Sequence, residues 1–493
     1  MISVADPGLS MTAALLSLPH RLLPIGRIAG LALCYAAGAA AAADRADPLD
    51  TARLRPAAPS NFWEGSATAC PAPPAVPDPV RLSDAVDLAL CNNPLTRESW
   101  ANAKASAAAL GIARSNYLPS VTGTVTLERS LIWNSSVAGN QSLLDATLTF
   151  DYLLFDFGGR DAAVDLARES LLAADWTHNN SLQLVLLAAV QAYYQVYATS
   201  EAVQAALASE KASLASFEAT RARLRVGNAT RADVLQAQTA YSQSQLNRTQ
   251  REGDAANARG IFANQLGLSA DRELHISPPP DLQAERVAER AVGELIELAR
   301  SRRPDLAAAQ AQVRAAESNI KLQQALGKPS LSLFGTAGAT HTVPGSDPRS
   351  GAVGLQLNIP FFTGFRNTYQ ILQAREQLDL QQATRDKLAT DVALDVWTAY
   401  QDLRTQGQAL TTSNELLASA QESYNVALAR YRAGVGTITD LLNAQSALSS
   451  AQIEVIRARF NWNVAKATLA KAIGVLEPEL LKSQPAAPAA PGR

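Results

Sequence analysis

The chain has 493 residues, more than one ordinary core of about 100–200 residues holds. Lys and Arg number 43 against 45 Asp and Glu, and the net charge of −2 gives no footing for a strongly basic nucleic-acid binder, so no nucleic acid is expected as a partner. Three Cys are too few for a disulfide scaffold, and beyond the N-terminal segment no apolar run reaches the roughly 20 residues of a bilayer-spanning helix.

In chain order, Arg21 and Arg27 precede an apolar stretch from Ile28 to Gly38, then Ala39 to Ala43 and Asp44. This order predicts an export signal over residues 1–43, cut near Ala43, with Met11 a second candidate start. Leu33 stands before Cys34 where a lipoprotein signal has a small residue, so no lipid attachment is expected. Residues 44–80 carry eight prolines and read as an extended arm. Cys70 and Cys91 lie in the exported part. In an oxidising compartment they either pair, stapling the arm to the first helix, or stay as two thiols.

The body is one unit written twice. LSDAVDLALCNNP ends at Pro94 and VGELIELARSRRP at Pro304, 210 residues apart, as are Pro119 and Pro329. LLFDFGGR and IPFFTGFR end 206 apart, at Arg160 and Arg366. Gly227 and Gly434, Thr230 and Thr437, Asp233 and Asp440, Gln238 and Gln445, and Gly267 and Gly474 are all 207 apart. The period is far above the roughly 20–50 residues of a solenoid, so this is a tandem duplication. The expected units are 81–276 and 292–475, joined by a linker at 277–291 and followed by a Pro- and Ala-rich tail at 476–493.

Each unit reads helix, strand, strand, long helix, tight turn, helix. Between Asp145 and Phe155, Ala146, Leu148, Phe150, Tyr152 and Leu154 alternate with Asp145, Thr147, Thr149 and Asp151. Val121, Gly123, Val125 and Leu127 alternate with Thr122, Thr124, Thr126 and Glu128. Val353, Leu355, Leu357 and Ile359 alternate with Gly354, Gln356 and Asn358, while Leu331 and Leu333 begin a weaker fourth strand. Strands of about 9–11 residues suit a tilted transmembrane sheet, and a half-buried soluble sheet has the same period. Four strands cannot close a membrane barrel, whose smallest examples have about eight, so in lipid several chains must pool them. Three chains give twelve.

From Arg160 to about Val226 no Pro occurs, and about 67 residues of helix span roughly 100 Å. Val203, Leu207, Leu214, Phe217 and Leu224 form a sparse seam, repeated by Leu417, Tyr424, Leu428 and Tyr431. A partner of that length needs residues 230–266 and 83–117 laid end to end. Gly227 and Gly434 suit left-handed helix caps, and Thr230 and Thr437, three residues before Asp233 and Asp440, suit capping boxes. On these residues alone the tips are two well-capped helical hairpins.

With the duplication, the NNP and RRP helix ends, Tyr-Leu-Pro-Ser (117–120) and Gly-Lys-Pro-Ser (327–330) before the strands, FDFGGR and FFTGFR after them, and the VGNAT and AGVGT tips, the chain resembles the TolC-like outer membrane factors over about 81–475. The resemblance implies a mainly α protein with β: a homotrimer with four strands per chain pooled into a 12-stranded outer-membrane barrel, above a long periplasmic α-helical coiled-coil tunnel. It implies a periplasmic membrane-fusion adaptor, an inner-membrane ABC or RND transporter, a transported cargo and outer-membrane lipid as partners. No enzymatic activity, cofactor or metal is expected. Val226, Gly227, Thr230, Gly434, Val435 and Thr437 would dock the adaptor. Asp440 would form an acidic constriction. Asn443 stands where the family has a second Asp, giving about three negative charges per trimer instead of six and weaker cation block. A Tyr431–Asp233 contact would latch the gate, and Gly436 replaces a family Arg that strengthens it, so a leakier resting channel is expected.

An exported enzyme is the first rival. His20, His178, His275 and His341 are scattered, no HExxH, P-loop or GxSxG occurs, and Asp156-Phe157-Gly158 lacks the other kinase motifs. A periplasmic coiled-coil adaptor is the second, and it would lack the paired alternating strands. Within the channel reading, the Cys70–Cys91 arm and ALCNNP resemble the type I secretion branch, which exports large proteins such as haemolysin-type toxins. Small-molecule or metal efflux is the alternative.

Overall fold

A computed structural model describes residues 47–63, 70, 76–130, 141–279, 291–343, 345 and 347–476. The expected signal segment, most of the 277–291 linker and all but the first residue of the 476–493 tail lie outside them. After a short 3-10 turn at Ala52–Leu54 come α1 (Leu82–Asn92), α2 (Pro94–Ser115), β1 (Ser120–Ser130), β2 (Gln141–Phe155), α3 (Gly159–Arg225) and α4 (Arg231–Gln265). The second half repeats the order with α5 (Val292–Arg302), α6 (Pro304–Leu326), β3 (Ser330–Val343), β4 (Arg349–Asn358), α7 (Arg366–Arg432) and α8 (Ile438–Ala472).

Each prolyl break makes a joint. Asn93 and Arg303 take extended backbone before Pro94 and Pro304, which start α2 and α6 at a position where a missing N–H costs nothing. The end of α4 abuts the first joint, where Asn93 Nδ2 donates to the Gln265 carbonyl at 3.0 Å. Gly267 and Gly474 sit at the two abutments with φ of 70° and 76°. A Cβ on Gly267 would lie 2.5 Å from the Asn92 carbonyl oxygen, and one on Gly474 2.8 Å from the Arg302 carbonyl carbon. Only glycine fits both the backbone angle and the approach. In the first repeat, two shorter helices laid end to end thus run beside one long one.

The four strands form one antiparallel sheet in the order β1-β2-β3-β4. Thr126 and Thr340 flank Asp145 in register, and Asp145 accepts from Thr340 Oγ1 at 2.8 Å and Thr147 Oγ1 at 2.9 Å. That face is rich in Thr, Ser and Asp, with Leu143 and Phe334 among them. The other presents Val121, Val125, Leu127, Leu148, Val353, Leu355 and Leu357, all exposed. Among the described residues β1 and β4 each pair on one side only, leaving two open edges. β2 and β3 run 15 and 14 residues, longer than the sequence pattern suggests, because they pair with each other almost throughout. The small residues from Gly335 to Ala339 hide the alternation of β3.

The largest core lies where α1, α3, α4 and the end of α8 meet, around Leu82, Leu90, Leu186, Tyr193, Phe262 and Leu266. Tyr193 is fully buried, and its hydroxyl reaches the carbonyls of Ser277 at 2.7 Å and Val80 at 3.2 Å. The second repeat has a lighter counterpart around Leu295, Val392, Val396 and Leu469.

Candidate functional site

The α3–α4 turn closes with φ of 79° at Gly227, whose N–H donates to the Leu224 carbonyl, while Asn228 N–H reaches Arg223 O at 2.9 Å. The α7–α8 turn repeats this with φ of 77° at Gly434, and Val435 and Gly436 N–H both reach Arg430 O at 3.1 Å. Thr230 and Thr437 cap the next helices, accepting from Asp233 N–H at 3.2 Å and Asp440 N–H at 3.1 Å. The carboxylates of Asp233 and Asp440 reach back to the cap N–H groups at 2.8 and 3.3 Å, closing two capping boxes. Bonds from Thr437 hold the Asp440 carboxyl below the usual carboxylate range, with Arg430 adding to the effect. Val226 and Val435 project from the tips, each 70% exposed.

Tyr431 is buried, and its hydroxyl shares a hydrogen bond with Thr220 Oγ1 at 2.8 Å. Arg223 lies over its ring at 4.2 Å and donates to the carbonyls of Tyr431 at 2.7 Å and Arg432 at 3.2 Å. The guanidinium therefore adds a second donor to the Tyr431 carbonyl, which already accepts from Gly434 N–H, and reaches the Arg432 carbonyl at the end of α7. The structure places Tyr431 with Thr220 and Arg223, while the Asp233 carboxylate bonds its own helix cap. Thr439 Oγ1 meets Gln236 Oε1 at 3.3 Å, and higher up Gln445 Nε2 donates to Ser213 Oγ at 2.7 Å. These bonds fasten hairpin α3–α4 to hairpin α7–α8. Asp440 and Asn443 share an open groove with Arg430 and Gly436. A Cβ on Gly436 would stand 3.1 Å from Arg430 Cβ and from Tyr431 N, which leaves little room for a side chain there. Sequence reasoning missed Thr220 and Arg223. Their one signal is position in the last turns of α3, a place shared with other side chains that stay in solvent.

Farther along α3 the arm lies on the helix wall. Cys70 and Cys91 are joined as a disulfide with Cα atoms 5.6 Å apart. Asn179 clamps the Trp63 backbone, accepting from its N–H at 2.7 Å and donating to its carbonyl at 3.2 Å. Trp100 Nε1 donates to Pro56 O at 3.0 Å. His178 contacts Asn61 O through Nε2 and Ser99 Oγ through Nδ1. A carbonyl only accepts, so Nε2 carries the proton and Nδ1 accepts from Ser99. Burial pushes this imidazole down to about 4. Beside it Asp175 is fully buried, neither carboxyl oxygen has a hydrogen-bond partner among the described residues, and burial pushes it up to about 7.

The sequence profile of the family described as outer membrane efflux protein matches residues 85–267 and 295–475, one stretch in each repeat. The chain is 32% identical to protein CyaE of Bordetella pertussis over 459 residues, 92% of this chain and 95% of that one. It is 27% identical to the outer membrane efflux protein BepC of Brucella suis, over 82% of this chain and 87% of that one. Among solved structures, the outer membrane protein VceC of Vibrio cholerae superposes with a TM-score of 0.68 at 20% identity, covering 80% of this chain and 96% of that one.

Proposed function

We propose a function from one premise: the chain belongs to the outer membrane efflux protein family, the TolC-like channels. Its fold is the TolC-like trimeric one, four strands per chain above long helical hairpins, and its place is the outer membrane. The family is one of channels in tripartite export systems, not of enzymes.

Within that role the reading is type I secretion: the exit duct for a large protein such as a haemolysin-type toxin, docked to a periplasmic adaptor and an inner-membrane ABC exporter. The observation that supports it is the reach of the likeness to CyaE. The two profile matches run from 85 to 475, whereas the likeness to CyaE covers 92% of the chain and so extends into the N-terminal arm with its disulfide. Efflux relatives cover only 80–82%. The names of those relatives favour the second reading, small-molecule efflux. Comparative mass spectrometry of culture supernatants with and without the gene separates the two. Loss of one large protein from the medium, with retention in the cells, supports type I secretion and identifies the cargo. Matching supernatants overturn it in favour of efflux.

The same reading assigns Asp440 to a constriction, with Val226, Gly227, Thr230, Gly434, Val435 and Thr437 as the adaptor-docking tips. Asn443→Asp would restore six charges per trimer. The expected result is stronger block by multivalent cations in planar bilayers. Unchanged block would remove positions 440 and 443 from the constriction.

A further inference from the structure

Where the two repeats meet, their cores do not close on each other. Tyr194 of α3 and Phe460 of α8 pack into the larger core, and Trp462 of α8 into the lighter one. Together with Tyr197 they leave a pocket of about 470 Å³ between them, the size of a small-ligand site. Tyr194 is 3% exposed and the other three are half-buried, so the aromatic lining runs from the floor toward the mouth. Asn463 lines the pocket as well and is buried. Its Nδ2 donates to Arg459 O at 3.0 Å, and its Oδ1 has no hydrogen-bond partner among the described residues. Two opposite charges complete the lining, Glu201 from α3 and Arg459 from α8. Both are exposed, and neither makes an ion pair among the described residues.

The duplication does not supply this lining. At the 207-residue offset that relates α3 to α7 and α4 to α8, Tyr194 and Tyr197 become Gln401 and Arg404, while Phe460 and Trp462 become Gly253 and Ala255. Asn463 corresponds to Ala256, Glu201 to Gln408 and Arg459 to Glu252. Residues on two helices have thus changed together around one space. Aromatics make up only 6% of the chain, so four of them here are a concentration. Aromatic side chains that serve a core alone interdigitate to the density of an organic crystal. These stop short of one another and forgo the contacts that closure would bring. A ligand that matches the lining restores them.

We propose that this pocket binds a short peptide with aromatic side chains and free termini. The side chains lie among Tyr194, Tyr197, Phe460 and Trp462, where ring-to-ring contact adds to burial. The terminal ammonium faces Glu201. The terminal carboxylate faces Arg459, whose planar fork suits it. A peptide N–H meets Asn463 Oδ1, a buried acceptor that is costly to leave unmatched. Charges of both signs in one lining select against a ligand with a single charge, since a cation also meets Arg459 and an anion also meets Glu201. Leu410 and Asn414 of α7 border the same space, so a bound peptide ties α3 to α7 and α8 within one chain. The site is complete in each copy and stands whichever cargo the channel carries.

Isothermal titration calorimetry of the full-length protein with the dipeptide phenylalanyl-phenylalanine tests this. Saturable binding is expected, with a change in tryptophan fluorescence over the same concentrations that Trp462→Phe removes. Blocking either end of the dipeptide, by N-acetylation or by C-terminal amidation, should weaken binding about tenfold. Glu201→Gln should weaken the dipeptide and its amide about tenfold and should not weaken the N-acetyl form. Arg459→Gln should weaken the dipeptide and its N-acetyl form by as much and should not weaken the amide. Both side chains are exposed, so both variants should fold as the parent does. Absence of saturable binding to the parent at millimolar dipeptide would overturn the proposal. Binding that is indifferent to the blocked termini, or to both charge variants, would overturn it too, since that is adsorption to apolar surface.

Discussion

Helices α3 and α7 each run 67 residues, and twenty-four positions of α3 are buried within the chain against eight of α7. Both descend from one ancestral unit, so the difference records what each has acquired. The first is covered by α4, by the α1–α2 pair and by the arm, and by α6 and α8 of the second repeat as well. The second leaves Tyr369, Leu380, Leu394, Trp397, Leu416 and Val426 exposed. Such apolar exposure along one helix is rare on a monomer and ordinary on a subunit that buries it against another copy. The first repeat therefore carries the stability of the single chain, and the second is built to meet its neighbours.

The sharpest way to break that division is one residue type in two places. Tyr193 and Tyr400 are 207 apart. Tyr193 is fully buried and its hydroxyl meets two carbonyls, whereas Tyr400 is half-buried at the edge of the lighter core. Tyr193→Ala should cost about 4–5 kcal/mol, since it opens a cavity and takes the hydroxyl from the Ser277 carbonyl, while Val80 O keeps the Ser277 N–H, and Tyr400→Ala about 1–2 kcal/mol. Urea denaturation of the purified variants checks the order. Equal losses would mean that assembly packs the second repeat as densely as the first.

What the sequence made legible was local or periodic. The duplication, the alternating strand faces, the prolyl joints and the Gly-Thr-Asp tips each repeat a short pattern whose physics acts over a few residues. Contacts that depend on how helices rotate against one another stayed hidden. Tyr431 meets Thr220 across 211 residues, and nothing in either neighbourhood marks that pair over Tyr431 with Asp233. Arg223 and Arg430 occupy equivalent last turns, yet only the structure shows one clasped and the other in an open groove. Asp175 reads as one more helix-surface acid until the arm is seen to cross it.

That acid is the second test. Its counterpart in the second repeat is Gln381 or Gln382 at an offset of 206 or 207, and no acid stands at either position. The folded Asp175 carboxyl is raised from 3.8 to about 7, so between those values the folded chain holds a proton that the unfolded chain has lost. Asp175 alone should therefore lower stability by at most roughly 4 kcal/mol as pH rises from about 4 to 7. His178, pushed down from 6.5 to about 4, acts with the opposite sign between those values, so the parent curve should be nearly flat there. Asp175→Asn should remove the falling contribution alone, so that stability of the variant rises with pH relative to the parent in denaturation series from pH 4.5 to 8. A variant curve parallel to the parent's would show that the carboxyl is ionised and paired.

Removing the staple should have a somewhat smaller effect. Cys70→Ser/Cys91→Ser frees a loop with a sequence separation of 21 and should cost about 3 kcal/mol, mostly through the unfolded chain. Limited proteolysis should then cleave the arm first and leave the hairpins intact. Simultaneous loss of both would mean that the arm is part of the channel's core and not an addition to the first repeat.

The smallest effect falls where the two repeats agree. Thr230 and Thr437 cap their helices with the same bonds, so Thr→Ala at either should cost about 1 kcal/mol, and the two should match. Their consequences for the channel should not match. Thr437 holds the Asp440 carboxyl below the ordinary range, and Thr437→Ala should let it drift back up, so protonation of Asp440 begins at a higher pH as the solution is acidified. Cation conductance through the Thr437→Ala channel should fall earlier on acidification than through the parent, while Thr230→Ala follows the parent curve. Two coincident variant curves would mean that Asp233 and Asp440 face the permeating ions alike, and that the repeats diverged in packing without diverging in role at the tips.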